Sequence, residues 1–266
     1  MRRIDILNAL VDMGYKAEET ETIKNGVVME GIVIRDTDPV APIVYTQKLI
    51  EQAEMDGKSV SEVVAEILNF YEEKRNPGFD ITCLYDSGYV RENVYVGVQK
   101  KSNEETLKKD SELEGLELYL YVRMQRGEDY GIVKVNPGVM RGVDISTEEL
   151  WTLAEQNTCS ETTIRSLAEV LGFGIGDDPM GLTVLSNRSG VRGAAAIIDK
   201  EVIREYAKKS GVDRVIMLPS SIHEVLLLPD YGNFNICELN TMVEMVNLEQ
   251  VSPEERLTDR AYVIEV

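Results

Sequence analysis

The only histidine of the chain lies in a short polar segment that holds the side chains most able to do chemistry. His223 follows Ser220 and Ser221 and precedes Glu224. A serine hydroxyl activated by an imidazole base is typical of hydrolases, so these four residues are the candidate catalytic set. Catalytic serine and histidine usually come from separate segments, however, so that the ring can face the hydroxyl. The interpretation we favour is a turn whose polar side chains satisfy backbone groups.

A glycine-rich loop is the second motif with possible chemistry. Gly172, Gly174 and Gly176 are followed directly by Asp177 and Asp178. A helix is predicted before this loop and a strand after it, which is the reverse of the order in a dinucleotide-binding loop. The two adjacent carboxylates could contribute to a hard-cation site, but they supply only part of the oxygen set that calcium requires. We therefore predict no cofactor and no metal site.

The charge of the chain limits its partners. There are 47 acidic and 28 basic residues, for a net charge of -19. A surface of this sign repels phosphate groups, so direct binding of nucleic acid or of anionic lipid is disfavoured. The charge either keeps the protein soluble or imitates nucleic acid in the basic groove of a partner. The acids are spread along the chain, which favours the first interpretation.

Composition also indicates a compartment. No run of residues approaches the roughly 18 apolar positions of a membrane span. The first segment is interrupted by Asp5 and Asp12, so it lacks the apolar stretch of a signal peptide. The cysteines, Cys83, Cys159 and Cys237, lie far apart and do not form a CxxC pair, which indicates free thiols in a reducing environment. We expect a cytoplasmic protein that does not bind membranes.

The N-terminal part is predicted to be rich in helix. Apolar residues at helical spacing predict a first helix from about Ile4, and Ser59 with Glu62 forms a capping box for a later one. Asn25-Gly26 predicts a turn into an apolar strand, after a polar stretch at 16–25. The charged segment 101–115 is the best linker candidate. We expect a helix-rich subdomain at 1–110 and an α+β domain at 111–266, with a single domain as the alternative.

The second half is predicted to contain antiparallel hairpins between helices. The strand pairs are 116–124 with 131–140, 182–186 with 193–199, and 214–218 with 224–228. Helices are predicted from Ser146, from Ser160 through Leu171, and from Lys200, before a final strand at 261–265. Hairpins outnumber strand–helix–strand crossovers, so the predicted class is α+β, with antiparallel hairpins and flanking helices.

Three stretches of the chain resemble an uncharacterised protein family, one of the domains of unknown function. They are NGVVMEGIVIRDTDPVAPIVYTQKLIEQAEMDGKSVSEVVAEILNFYEE, LPSSIHEVLLLPD and VNLEQVSPEERLTDRAYVIEV. The family is found in gut anaerobic bacteria and their mobile elements. The layout of the second half is also distantly similar to that of YtpQ-like proteins. The resemblance implies a cytoplasmic bacterial protein and brings no assigned reaction with it.

No motif in the sequence identifies a reaction. The leading hypothesis is therefore a non-catalytic binding protein that interacts with another protein. The first alternative is a small hydrolase that uses Ser220 or Ser221 with His223. The second alternative is an acidic inhibitor that imitates nucleic acid and is encoded by a mobile element.

Overall fold

The computed structural model describes residues 1–35, 41–74, 80–126, 129–172 and 181–266. The chain divides into two compact units, Met1–Phe79 and Asp80–Val266. Antiparallel sheets with flanking helices occur in these units, so the predicted α+β class is confirmed.

The first unit packs helices against one small sheet. Its elements are α1 (Arg3–Asp12), β1 (Ala17–Lys24), β2 (Val27–Ile34), β3 (Ile43–Tyr45), α2 (Thr46–Met55) and α3 (Val60–Lys74). The strands are antiparallel in the order β1-β2-β3. Leu10 of α1, Ile32 of β2 and Ile67 of α3 meet in its core. The helix-rich character predicted for this part is therefore combined with a three-stranded sheet.

Strand β1 is an element that the hydrophobic pattern did not predict. It lies in the polar stretch AEETETIK, to which the sequence pattern assigned no strand. Asn25 and Gly26 both adopt left-handed backbone angles, φ 51° and 76°. That geometry matches the twist of a tight hairpin, and β1 pairs with β2 along its whole length. The strand forms because the turn and its apolar partner fix it, while most of its own side chains face solvent.

The second unit begins with a 3₁₀ helix at Ile81–Tyr85 and continues into a four-stranded sheet. Its elements are α4 (Ser87–Asn93), β4 (Val94–Lys100), β5 (Lys108–Asp110), β6 (Leu116–Arg126) and β7 (Asp129–Lys134). The central strand is β6, which pairs antiparallel with β4, β5 and β7. We expected a boundary near residue 110, but β4 and β5 pair with β6, so residues 80–110 group with the second unit.

A five-stranded antiparallel sheet completes the second unit, in the order β12-β10-β11-β9-β8. Its strands are β8 (Thr162–Ser166), β9 (Thr183–Asn187), β10 (Arg214–Pro219), β11 (Val225–Pro229) and β12 (Tyr262–Glu265). The helices are α5 (Pro137–Gly142), α6 (Thr147–Ser160), α7 (Leu167–Leu171), α8 (Lys200–Ser210) and α9 (Ile236–Gln250), with a 3₁₀ helix at Gly193–Ile198. Within the described ranges, no helix is long and apolar enough to cross a membrane.

Two predicted elements of this unit are wrong, and the other two hairpins are confirmed. The helix predicted from Ser160 is replaced by strand β8 and the short helix α7, because the β-branched run at 162–164 pairs with β9. The strand predicted at 193–199 is the 3₁₀ helix, whose alanine run favours helical geometry. β6 pairs with β7 and β10 pairs with β11, as expected from their alternating and apolar runs. The predicted strand 131–140 is too long, however, because β7 ends at Lys134 and residues 137–140 lie in α5, which begins at Pro137.

Candidate functional site

The two serines of the candidate catalytic set bond to the nearby glutamate. Residues 220–224 connect β10 to β11. The hydroxyls of Ser220 and Ser221 donate to Oε1 of Glu224, at 3.1 and 3.0 Å. The Ser221 Oγ also accepts the backbone N–H of His223, at 3.0 Å. These contacts close the turn on itself, as expected for polar side chains that stabilise a strand connection.

The His223 ring faces groups other than these hydroxyls. Its Nδ1 accepts the backbone N–H of Arg192 at 3.3 Å, which assigns the ring proton of the neutral form to Nε2. Nε2 lies 3.4 Å from Oε1 of Glu255. A serine nucleophile requires its hydroxyl on a ring nitrogen, and here both nitrogens have other neighbours. The turn holds the 3₁₀ helix and the C-terminal segment in place.

The other sequence-predicted candidates, Asp177 and Asp178, lie outside the described residues. Among the residues that are described, no group of three or more histidine, cysteine or acidic side chains is arranged to hold a metal ion.

One face of the four-stranded sheet carries a polar cluster that the sequence analysis did not identify as a site. Alternate residues of β4 and β6 pair across the strands on this face: Tyr95 with Tyr121, Gly97 with Tyr119, and Gln99 with Glu117. Lys108 of β5 and Lys134 of β7 extend the same face. We call this set the polar face. Its signal in the sequence is the strict alternation of polar and apolar residues in LELYLYVR.

An ion pair closes one end of the polar face. Arg123 donates to both carboxylate oxygens of Glu161, each at 2.9 Å, and its guanidinium lies 3.9 Å from the ring centre of Tyr95. The Tyr95 hydroxyl also donates to Glu161, at 2.9 Å. Burial by itself would raise the pKa of Glu161, but the hydrogen bonds from Arg123 and Tyr95 outweigh it and hold that pKa below its usual range. Glu161 is therefore a carboxylate at neutral pH.

Arg192 joins the 3₁₀ helix to the middle of the polar face. Its guanidinium donates to the hydroxyl of the fully buried Tyr119 at 2.5 Å. Lys134 lies 4.7 Å from the centre of the Tyr119 ring and bonds to Gln99 and Glu104. Burial lowers the pKa of Lys134, against the opposing effect of Glu104. These charged groups are paired inside the protein, so the polar face acts as a specific connection between elements.

A cavity of about 280 Å³ lies beside the other, apolar face of the same sheet. Its floor consists of the buried Leu118, Ile197 and Met217. Further apolar side chains line its walls: Leu113, Ile198 and Ile264. The cavity thus lies between β5–β6, α6, the 3₁₀ helix and the edge of the five-stranded sheet.

Two ion pairs lie at the rim of this cavity. Lys109 of β5 bonds to Glu155 of α6 at 2.7 Å, and Lys200 of α8 bonds to Glu112 at 2.5 Å. The Lys109 ammonium also lies 4.2 Å from the ring centre of Trp151. An apolar floor with a charged rim is the usual design of a pocket for small organic molecules.

Cys159 lines the cavity, but its thiol is not activated. Burial raises its pKa to about 11, and the carboxylates of Asp199, Glu155 and Glu201 add to the shift. A reactive cysteine requires the opposite, a pKa lowered by neighbouring positive charge. At neutral pH this side chain is therefore a protonated thiol in the cavity wall.

Comparison with known proteins identifies a family for this chain but assigns it no reaction. Neither the curated proteins nor the solved structures gave a match. The model of a family of unknown function, DUF5688, matches residues 5–265, nearly the whole chain, and this protein therefore belongs to that family.

Proposed function

We propose that this protein is a non-catalytic binding protein, and that its small-molecule site is the cavity beside the four-stranded sheet. The observation that carries the proposal is the cavity itself, about 280 Å³ with a buried apolar floor. Pockets that hold small ligands are commonly about 300–1,000 Å³, so the volume suits a compact molecule.

The state of the possible nucleophiles supports binding over catalysis. Ser220 and Ser221 donate to Glu224, and the ring of His223 is engaged by Arg192 and Glu255. Cys159, the thiol in the cavity wall, has a raised pKa. Covalent catalysis by serine usually relies on an imidazole base, and catalysis by cysteine relies on a lowered pKa; these serines and this cysteine have neither arrangement.

Protection of Cys159 from alkylation tests the proposal directly. In a variant with Cys83→Ser and Cys237→Ser, Cys159 is the one remaining thiol. Maleimide labelling at pH 8.5, followed by intact-protein mass spectrometry, is compared with and without fractions of a bacterial metabolite extract. We expect at least one fraction to slow the labelling, because a bound molecule covers the thiol.

Two tryptophan variants distinguish cavity binding from a surface effect. Ile198→Trp places a large ring in the cavity and should abolish the protection. Val263→Trp is the control, since Val263 is exposed on β12 and is not a lining residue. Circular dichroism checks that both variants fold. Labelling that no fraction slows, or protection that survives in Ile198→Trp, would contradict the proposal.

The other hypotheses stay predictions. A protein partner is compatible with a small-molecule site, and a pull-down with the wild-type protein tests it. Hydrolysis of ester or amide substrates that is lost in His223→Ala would support the hydrolase. Competition with DNA for a basic partner would support the inhibitor.

A further inference from the structure

The lining of the cavity indicates the chemical class of its ligand. We infer that the cavity selects an uncharged, mainly apolar molecule about the size of two fused rings. This inference rests on the proposed function, because it assumes that the cavity is the binding site. It adds the charge, the polarity and the size of the ligand.

The charged side chains of the lining are all engaged with one another or with a neighbouring lysine. Three ion pairs include all of them: Lys101–Asp110 at 2.8 Å, Lys109–Glu155 at 2.7 Å and Lys200–Glu112 at 2.5 Å. Among the described residues of the lining, no unpaired charge of either sign is therefore available. A charged ligand would lose water at the apolar floor and meet only counter-charges that already have partners, so its charge would weaken binding.

Two further carboxylates act on the thiol of Cys159, although neither residue lines the cavity. Asp199 is the N-cap of α8, and its Oδ1 accepts the backbone N–H of Val202 at 3.2 Å. Glu201 lies in the first turn of the same helix and is exposed to solvent. The positive end of the helix dipole is close to both carboxylates, and solvent screens Glu201. These two groups therefore do not give the cavity a free negative charge.

The buried polar atoms of the lining have partners too. Within the described ranges, the buried side-chain polar atoms that lack a hydrogen bond belong to Glu104 and Thr106, and neither residue lines the cavity. The Ser111 Oγ accepts the backbone N–H of Leu113 at 3.2 Å. Cys159 is a neutral thiol, which is a weak hydrogen-bond donor. A strongly polar ligand would bury groups without partners here, and that costs free energy.

The apolar floor determines what kind of contact remains for a ligand. Leu118, Ile197 and Met217 are buried side chains that offer non-directional hydrophobic contact. An engineered apolar cavity of about 150 Å³ binds one benzene ring. This cavity, at about 280 Å³, has roughly twice that volume. A molecule with two fused rings therefore suits the space.

Three compounds that share one ring system test the inference: 2-naphthalenemethanol, 2-naphthalenemethylamine and 2-naphthoate. At pH 7 they are neutral, cationic and anionic, respectively. Isothermal titration gives the dissociation constants, and protection of Cys159 in the variant that retains only this thiol gives the location. We expect the alcohol to bind at least about fivefold more tightly than either charged compound, because only the alcohol enters without losing the hydration of a charge. A smaller difference would overturn the inference.

A pair of variants tests whether the ion pairs are the reason that charge is excluded. Lys109→Met leaves Glu155 without its partner, and Glu155→Gln leaves Lys109 without its partner. The first change should tighten binding of the amine about threefold, and the second should tighten binding of the acid by a similar factor. Binding of the alcohol should not change in either variant. If all three compounds shift in the same direction within each variant, loosening of the wall and not charge controls the affinity, and the inference is overturned.

The outcomes distinguish this inference from the proposed function. If none of the three compounds binds, or if Ile198→Trp binds the alcohol as tightly as the wild type, the inference is overturned. It is also overturned if the molecule that protects Cys159 in an extract fraction carries a net charge, while the cavity remains a binding site. The proposed function fails on a different result, namely extract fractions that never protect Cys159 or that still protect it in Ile198→Trp.

Discussion

The two faces of the four-stranded sheet are both buried, yet they are built from opposite kinds of side chain. On β6, Leu118 and Leu120 of the apolar face are 7% and 0% exposed, while Tyr119 and Tyr121 of the polar face are 0% and 2% exposed. The faces alternate along one strand, so their backbone environment is the same. The difference lies in what each face requires of the elements that cover it.

The apolar face requires only shape and volume from its cover, because hydrophobic contact has no direction. The polar face requires partners for each buried group, since an unpaired charge or hydroxyl in the interior is costly. Glu161 and Arg192 supply such partners to Arg123 and Tyr119. The polar face therefore fixes the position of the segment after α6 and of the 3₁₀ helix, whereas beside the apolar face a cavity is tolerated.

The largest expected loss of stability comes from removing side-chain volume on the apolar face. Leu120→Ala should lower the free energy of unfolding by about 3 kcal/mol, from lost burial and the space left behind. Urea unfolding followed by the fluorescence of Trp151, the only tryptophan, measures the second unit. A cost below about 1 kcal/mol would mean that the neighbours of Leu120 collapse into the space left by its side chain.

A slightly smaller loss of stability is expected at Gly97, where the polar face has no space for an added methyl group. Gly97 pairs with Tyr119, and an added Cβ would lie 2.3 Å from Cζ of that ring. Gly97→Ala should therefore displace the ring from Arg192 and cost about 2 kcal/mol. In a Tyr119→Ala background the same change should cost almost nothing, because the obstructing ring is gone. Equal costs in the two backgrounds would rule out the steric explanation.

The stability costs of replacing the two members of the ion pair at the end of the polar face should be non-additive. Arg123 and Glu161 have side chains 16% and 20% exposed, so each single variant leaves a mostly buried charge without the opposite charge of the pair. Arg123→Met or Glu161→Met should each cost about 2 kcal/mol, and the double variant clearly less than their sum. A double-mutant cycle in urea measures this coupling. Simple additivity would show that Arg123 and Glu161 do not stabilise each other.

The smallest expected effect is a loss of folding stability at alkaline pH. Burial raises the pKa of Tyr121 to about 12, above its ordinary value of 10.0. The neutral phenol is favoured in the folded state, so its contribution is complete below pH 10 and is lost as the pH rises toward 12. Between pH 9 and 11 the wild type should lose about 1 kcal/mol more than Tyr121→Phe. Parallel pH profiles for the two proteins would contradict a buried, neutral Tyr121.

Much of the fold followed from local pattern. The alternation in LELYLYVR predicts β6, because it is compatible with one period. The apolar runs on either side of residues 220–224 predict the hairpin of β10 and β11, because they have the length of strands and a polar turn separates them. The strand β1 and the 3₁₀ helix at Gly193–Ile198 did not follow. The polar residues of β1 do not predict a strand by themselves, and β1 forms through its pairing with the apolar β2. The segment of the 3₁₀ helix was predicted as a strand, although its alanine run favours helical geometry.

The sequence by itself determined the α+β class, the strong negative charge and the period of the main strands, since these depend on composition and on neighbours in the chain. Only the tertiary structure decided which residues meet. Leu118, Cys159 and Met217 are separated by tens of residues but share one cavity, and Tyr119 meets Arg192 in the interior. Such meetings depend on how the sheets, helices and turns pack, and that packing sums many weak contacts between distant segments.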